Sequence, residues 1–389
     1  MPTLKNRHIA IVFTAAIVGG HELMAVEHIK KLQRKGLKLA CFVPDDNPKL
    51  MAILDQAQIP YQQHGVRHQK LEILHAFFNV GLRARAARFL KDLAPRVDDI
   101  VLIQGDIELG SVFVNMAARQ KISVISYIPY AHRFSKMGAK LAGVKDALGA
   151  VVYKRCQRYI TISACFADDL RRWNPKAQVR VLPNFVPAPP AAEIRGVGYA
   201  FTPQPGTVRI LMPGRVSFRQ KGQDVLAEAL ARLGDLPVTF EVVVAGDGPD
   251  LEALKARAAT LPDNVRFRFL GWVSPVWPYA TEADFIVIPS QFEGVPLVML
   301  EAQKRNIPII ASRRDGMKDY LPAAAVYGPE DAADEPAALA AKISDYLSTQ
   351  HGITARRPEA TGHTGAGQAS RQTLNAGHSV NTTIKEGRL

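Results

Sequence analysis

The sequence predicts two doubly wound α/β domains, each built on a parallel sheet, that face a central cleft. Apolar, β-branched runs of strand length alternate with segments of helix length, and this alternation occurs twice along the chain. A proline-rich stretch separates the two halves at residues 183–206. The length of 389 residues also exceeds the size at which a single hydrophobic core usually stops growing.

The predicted strands are short apolar runs, and a helical pattern such as ELMAVEHIKKLQRKG follows the first of them. In the first half they are HIAIVFT, LKLACFV, DIVLIQG, KISVISYI and RYITIS. In the second half they are VRILMPGR, TFEVVVAG, VRFRFLG, ADFIVIPS and IPIIAS. We therefore expect a first domain over residues 1–190, a linker over 191–206 and a second domain over 207–348. Residues 349–389 lack Phe, Tyr, Trp, Met and Cys, so we expect a disordered tail there.

The composition excludes several classes of protein. No uncharged apolar run reaches the roughly 18 residues of a membrane span, and the N-terminus shows no signal-peptide cleavage pattern. We therefore expect a soluble, cytoplasmic protein. Cys41, Cys156 and Cys165 form no CxxC pair, so the sequence predicts neither a disulfide framework nor a zinc cage, and we expect no metal.

The net positive charge of the chain comes from its first half. Residues 1–190 carry 28 Lys and Arg against 14 Asp and Glu, whereas the remainder carries 21 against 22. Such a field favours anionic partners such as lipid headgroups or phosphorylated acceptors, although a scattered, solvated basic surface is an equal alternative. The basic half contains no nucleic-acid recognition motif, so we expect no nucleic-acid partner.

Two glutamates stand eight positions apart in SQFEGVPLVMLEA, residues 290–302. Pro296 belongs in the first turn of a helix and not in its middle. Glu293 should therefore lie in the loop ahead of the helix, and Glu301 more than one turn inside it. We expect both carboxylates to face one cavity, because burying Glu301 without a partner would be costly.

Glycines and cations follow other strands, at the edge where open α/β sheets bind ligands. Gly19 and Gly20 open a helix whose amides are able to bind a phosphate, although a packing pair fits equally well. Arg215 and Lys221 in GRVSFRQKG present two cations to one point, as a diphosphate requires, but a surface loop is the alternative. Gly246 lies in AGDGP, whose spacing favours a structural turn over a phosphate loop.

The order of these pieces resembles the retaining GT-B glycosyltransferases of family 4, which use nucleotide sugars. The resemblance is strongest over residues 207–312, which contain FLGWVSPVWPYATEADFIVIPS, and its most specific element is Glu293-x7-Glu301 after IPS. It implies two Rossmann-like domains, an acceptor-binding first domain and a nucleotide-sugar-binding second domain.

The resemblance also implies the roles of particular residues. Arg215 and Lys221 would hold the diphosphate, Glu293 would contact sugar hydroxyls, and Glu301 would hold the ribose. The implied donor site comprises Gly19, Gly20, Arg215, Lys221, Gly246, Glu293, Gly294, Val295 and Glu301. Members of the family also have a histidine near the reacting sugar. His132 in PYAHRFSK is the candidate, and His21 is the alternative.

The chain departs from the family in two places. RRDGMKDYL replaces the glycine-rich turn that usually follows the last strand of the site, and residues 349–389 lack the periodicity of the usual terminal helix. The sequence still favours a retaining glycosyltransferase that moves a sugar from a nucleotide-diphosphate donor to a hydroxyl acceptor, lipid-linked or a polysaccharide precursor, at the inner membrane face. The alternatives are a nucleotide-sugar epimerase or hydrolase on the same fold, and a catalytically silent module that binds nucleotide sugar or glycan.

Overall fold

The structure is a computed structural model of the chain. It describes residues 7–186, 205–273, 276–280, 282–328 and 333–352. The predicted linker at 191–206 lies almost entirely outside the described residues, and so does nearly all of the predicted tail.

The first domain is a seven-stranded parallel sheet with the strand order β3-β2-β1-β4-β5-β6-β7. Its strands are β1 (His8–Phe13), β2 (Lys38–Val43), β3 (Tyr61–Gln63), β4 (Asp99–Ile103), β5 (Ile125–Tyr127), β6 (Arg158–Thr161) and β7 (Gln178–Val181). Its helices are α1 (Gly20–Arg34), α2 (Pro48–Gln56), α3 (Glu72–Phe78), α4 (Val80–Leu93), α5 (Ser111–Gln120), α6 (Ala142–Arg155) and α7 (Ala164–Trp173). Sequence sets these ends locally: the Asn47 side chain caps α2 by accepting the Leu50 amide at 3.0 Å, and Pro48 occupies the first turn.

The second domain is a six-stranded parallel sheet with the order β10-β9-β8-β11-β12-β13. Its strands are β8 (Thr207–Pro213), β9 (Thr239–Ala245), β10 (Val265–Gly271), β11 (Phe285–Ile288), β12 (Ile309–Ser312) and β13 (Val326–Tyr327). Its helices are α8 (Phe218–Lys221), α9 (Gln223–Ala231), α10 (Leu251–Ala258), α11 (Trp277–Ala280), α12 (Leu297–Lys304), α13 (Met317–Tyr320) and α14 (Glu335–His351). Helix α14 packs on α9, β12 and β13 of its own domain.

The fold class and all ten predicted strands are confirmed. Three strands were not predicted, namely β3, β7 and β13, because each is a short, largely polar or partly exposed strand at a sheet edge. Helix α14 ends at His351, and the following Gly352 takes a left-handed conformation. The predicted domain boundaries stay predictions. Within the described ranges, no helix is long and apolar enough to cross a membrane.

The two domains share a buried apolar cluster, so their facing surfaces are packed together. Ile162 and Phe166 of the first domain and Val295 and Met317 of the second belong to this cluster. Polar contacts close the same interface: the Tyr320 hydroxyl donates to the Ile162 carbonyl at 2.8 Å. The carboxyl ends of both sheets therefore approach each other at fixed positions.

Candidate active site

The Glu293 loop lies between β11 and α12, as the position of Pro296 predicted. Pro296 immediately precedes the helix, and Glu301 is its fifth residue, so both glutamates have the expected depths. Lys221, the last residue of α8, forms an ion pair with Oε1 of Glu293. The Ser290 hydroxyl lies 3.3 Å from the same oxygen. The structure thus joins two sequence-predicted site residues that stand 72 positions apart.

The segment that carries Arg215 is held rigidly against the turn that contains Gly246. Gly214 has φ 131°, and a Cβ added to Gly246 would lie 1.9 Å from the Gly214 carbonyl oxygen. The Val216 amide donates to Asp247 at 3.0 Å, and the buried Gln223 side chain donates to the Arg215 carbonyl at 3.0 Å. Gly246 therefore has the structural role that its spacing favoured, and its contact with donor stays a prediction.

Arg215 is exposed beside the Lys221–Glu293 pair. Its guanidinium donates to the Gln220 side chain at 3.2 Å, and the Lys221 side chain passes 3.9 Å from the position of a Cβ on Gly214. Both cations therefore project from one short segment, β8 to α8. The arrangement is suited to binding two phosphate groups in succession.

The glycine pair of the first domain faces the start of α12 in the second. A Cβ on Gly20 would touch the Leu297 side chain at 3.5 Å, and one on Gly294 would lie 3.2 Å from Ile162. A Cβ at Gly20 would make an ordinary contact, whereas one at Gly294 would require a small shift of the Ile162 side chain. Gly19 is bound locally, because its amide donates to the buried Glu22 carboxylate at 2.8 Å. The structure thus brings Gly20 and Gly294 to the domain interface.

The His132 side chain makes a contact across the interface, whereas the His21 side chain is bound within the first domain. The His132 side chain is buried, and its Nε2 lies 2.9 Å from Oδ2 of Asp315 in the second domain. His21 instead uses Nε2 to contact the Tyr127 carbonyl at 3.1 Å in its own domain. Burial lowers the pKa of His21 to about 4. His132 is therefore the candidate that meets the second domain.

Glu22, Asp106 and Tyr130 are further candidate residues that the sequence argument did not name. Tyr130 lies between the domains, and its pKa is raised by burial and then by the charges of Asp106, Glu293 and Glu22, against the opposing charge of Arg215. Burial also raises the pKa of the Glu22 and Asp106 carboxyl groups. Asp106 follows β4, so its position after a strand was the signal available in the sequence. Tyr130 is therefore within electrostatic range of charged groups from both domains.

A cavity of 790 Å³ lies beside His132 and Asp315. The first domain lines it with the segment after Tyr130 and with α7, and the second domain lines it with Asp315, Lys318 and Asp319. Glu293, Arg215 and Lys221 do not line this cavity. The expectation that Glu293 and Glu301 share one cavity therefore stays a prediction.

Among the described residues, no group of three or more His, Cys, Asp and Glu side chains is arranged to hold a metal ion. The expectation of metal-independent chemistry stays a prediction. All three cysteines are free; Cys41 and Cys156 are buried and Cys165 is partly exposed.

Two family models match the chain, one for each domain. Residues 18–188 match the model "Glycosyltransferase Family 4", and residues 207–349 match "Glycosyl transferases group 1". The two matches lie on either side of the predicted linker, and each covers one of the two sheets.

The sequence identity to individual relatives is low. The chain is 27% identical over 146 residues to a lipopolysaccharide core biosynthesis glycosyltransferase, LpsE, of Rhizobium meliloti, covering 38% of this chain and 41% of that protein. It is 27% identical over 254 residues to an alpha-monoglucosyldiacylglycerol synthase of Streptococcus pneumoniae, covering 60% and 57%. The chain thus spans about half the length of the curated relatives it matches.

A solved structure shows the same fold. The crystal structure of Anabaena Alr3699/HepE in complex with UDP and glucose superposes with a TM-score of 0.63 at 15% identity, covering 88% of this chain and 95% of that one. The similarity extends across both parallel-sheet domains. The two family models together cover both parallel-sheet domains, and the chain belongs to the group 1, family 4 glycosyltransferases of GT-B fold.

Proposed function

We propose that this protein is a retaining glycosyltransferase that moves a sugar from a nucleotide-diphosphate donor to a hydroxyl group of a lipid-linked or glycan acceptor. The Lys221–Glu293 ion pair is the observation that best supports the proposal, because a cation suited to phosphate and a carboxylate suited to sugar hydroxyls lie in contact. The adjacent Arg215 supplies a second cation from the same segment. HepE, which has the same fold, was crystallised with UDP and glucose, so a uridine nucleotide is the first donor to test.

The chemistry follows from these positions. Arg215 and Lys221 neutralise the negative charge that develops on the diphosphate as its bond to the sugar breaks. Glu293 binds hydroxyl groups of the sugar while the anomeric carbon gains oxocarbenium-like character, and the acceptor hydroxyl attacks from the same face. Glu301 binds the ribose hydroxyls, and Gly294 and Val295 approach the donor through their backbone. His132 contacts the transferred sugar from the first domain.

The acceptor class is suggested by the curated relatives. One is named for lipopolysaccharide core biosynthesis and the other for a glucosyldiacylglycerol, which are membrane glycolipids. Envelope glycan assembly at the cytoplasmic membrane face is the setting that fits both relatives.

The first domain has a surface suited to an anionic membrane. Five apolar side chains are strongly exposed on or beside α3, α4 and α6, and we call them the α3–α6 face: Phe78, Val80, Leu141, Val144 and Val151. The ends of these helices meet, since the Arg155 guanidinium lies 5.1 Å from the Phe77 ring centroid and Arg83 donates to the Phe77 carbonyl at 3.0 Å. Exposed Arg85, Arg88, Lys91 and Lys154 lie on the same helices. An apolar face with basic residues is suited to the interface of an anionic bilayer.

Not every basic residue of this region is available for lipid. Lys136 pairs with Asp315 at 3.1 Å across the domain interface, and Lys145 pairs with Glu108 at 2.5 Å. We therefore do not count Lys136 and Lys145 among the cations proposed to face lipid. The remaining cations of α4 and the end of α6 carry the proposed contact.

A direct experiment tests the donor and the reaction together. Thermal unfolding with UDP, GDP, ADP and their sugars should show stabilisation by one nucleotide series, since ligand at a hundred times its dissociation constant adds about 2.7 kcal/mol. Product analysis without acceptor then separates transfer from epimerisation or hydrolysis, and the anomeric configuration of the product reports retention or inversion. Stabilisation without any sugar consumption would instead favour a silent binding module.

A further inference from the structure

Asp315 occupies an unusual position in the turn between β12 and α13. Its φ is 49°, in the left-handed region, and its side chain is only 4% exposed. The next residue packs tightly, because a Cβ on Gly316 would lie 2.2 Å from the Gly294 carbonyl oxygen. The family resemblance predicts glycine-rich sequence in this turn, and glycine takes a positive φ at little cost. This chain therefore buries a carboxylate where a glycine would suit the backbone better.

The carboxylate receives three hydrogen bonds from the two sides of the cleft. Oδ2 lies 2.9 Å from His132 Nε2 and accepts the Glu293 amide at 2.8 Å, while Oδ1 accepts the Lys136 ammonium at 3.1 Å. His132 and Lys136 belong to the first domain, whereas Asp315 and Glu293 belong to the second. Burial opposes ionisation of Asp315, but the His132 and Lys136 contacts and the Glu293 amide outweigh it and lower the pKa of the carboxyl group. The buried charge is thus fully compensated.

The contact also fixes the orientation of the His132 ring. A carboxylate accepts a hydrogen bond only from a protonated nitrogen, so Nε2 carries a proton. Only the protonation of Nδ1 is then able to change. The ring is enclosed by Phe166, Tyr130 and Phe292, whose centroids lie 5.3, 5.5 and 6.5 Å away. Its plane is therefore set by apolar neighbours and its tautomer by Asp315.

We propose that Asp315 is a positioning residue, which reaches from the second domain to hold His132 in one tautomer and to keep the cleft closed around the transferred sugar. The inference rests on the proposed function for the role of His132, but the tautomer and the closure are properties of the unliganded chain. Because the Glu293 amide shares the same carboxylate oxygen, Asp315 also fixes the loop that carries the sugar-binding glutamate. One side chain thus couples the histidine of one domain to the glutamate loop of the other.

The variant Asp315→Gly separates the side chain from the backbone. Glycine keeps the turn, because φ 49° is natural to it, and only the carboxylate is removed. In the full-length, unliganded protein, ¹⁵N-histidine NMR should show His132 as the Nε2-protonated tautomer in the wild type and as a tautomer mixture in Asp315→Gly. Hydrogen exchange at the Glu293 amide should accelerate by about tenfold or more, since its acceptor is lost. An unchanged tautomer together with unchanged exchange would overturn the proposal.

Kinetics then test the consequence. With UDP-glucose as donor probe, Asp315→Gly should lower the rate of donor cleavage by about tenfold while the Kd for UDP changes less than about twofold. Adding His132→Ala to Asp315→Gly should lower the rate of donor cleavage only a little further, because the two side chains act as a pair and either change disrupts it. A parallel loss of UDP affinity and rate would show a general structural defect and overturn the positioning role. Failure of the wild type to bind any nucleotide would instead refute the proposed function, and the NMR result would still decide the role of Asp315.

Discussion

Lys221 and Glu293 form a partly buried ion pair between the end of α8 and the loop ahead of α12, with side chains 22% and 11% exposed. Arg215 projects from the same short segment as Lys221, and we propose that the diphosphate of the donor joins its sugar at this pair. Removing one partner would leave the other charge buried and uncompensated.

Changing Arg215 or Lys221 to Ala should slow turnover by about a hundredfold, because each removes a charge that stabilises the leaving diphosphate. Donor affinity, measured by calorimetry, should fall as well, while the circular dichroism spectrum stays that of the wild type. Lys255→Ala is the matched control, since Lys255 is an exposed cation paired with Glu252 on α10. Wild-type turnover in both site variants would refute the assignment.

Glu301→Gln and Glu293→Gln should have opposite kinetic signatures. Glu301→Gln should weaken donor binding by about tenfold, because the charge that accepts the ribose hydroxyls is lost. Glu293→Gln should lower kcat by about tenfold or more with a smaller change in donor Kd, because its partner is the sugar being transferred. Calorimetry and steady-state kinetics on both variants decide the ranking, and a reversed ranking would exchange the two roles.

Gly246→Ala should destabilise the protein by about 1–3 kcal/mol, because the added Cβ would overlap the Gly214 carbonyl oxygen. The displaced segment carries Arg215, so donor affinity should fall with stability. Gly143→Ala is the control: it lies in α6 with nothing within 4 Å of an added Cβ, and it should stabilise the protein by up to about 1 kcal/mol. Urea unfolding measures both effects, and equal stability of the two variants would contradict the packing role of Gly246.

The stability of the protein should decrease between pH 6.5 and pH 4 because of two histidines. Burial lowers the pKa of His21 from 6.5 to about 4, and burial and then Lys31 lower that of His28 to about 4. The unfolded chain therefore binds these protons first as the pH falls, and each histidine adds a slope of up to about 1.4 kcal/mol per pH unit within that window. His21→Gln and His28→Gln should each flatten the pH dependence of the unfolding midpoint. An unaltered slope in both variants would disprove this origin.

Membrane binding should require anionic lipid and the basic residues of α4. In vesicle cosedimentation, the triple variant Arg85→Glu, Arg88→Glu, Lys91→Glu should lose most of the binding, since each cation contributes about 1 kcal/mol near an anionic leaflet. Added salt should weaken binding of the wild type. The charge-matched control changes three exposed cations of the second domain to Glu: Lys255, Arg266 and Lys304. Equal binding to neutral vesicles, or equal loss in the control, would refute the proposed surface.

The sequence indicated the local parts of the site well, because each depends on neighbouring residues. The position of Pro296 fixed Glu293 outside the helix and Glu301 inside it, and both are where the pattern predicted them. Continuous apolar runs of strand length predicted the ten principal strands. The edge strands β3, β7 and β13 were not predicted, because partly exposed strands contain no continuous apolar run.

The sequence by itself determined the two parallel-sheet domains, the loop that carries Glu293 and the cations of the β8–α8 segment, because hydrophobic periodicity and proline placement act over a few residues. Only the tertiary structure decided that Lys221 pairs with Glu293 and that His132 contacts Asp315 in the second domain. It also decided that Asp315 accepts the Glu293 amide. These pairs are separated by 72, 183 and 22 residues along the chain. Such contacts depend on how two sheets pack at their carboxyl ends, and no local pattern encodes that packing.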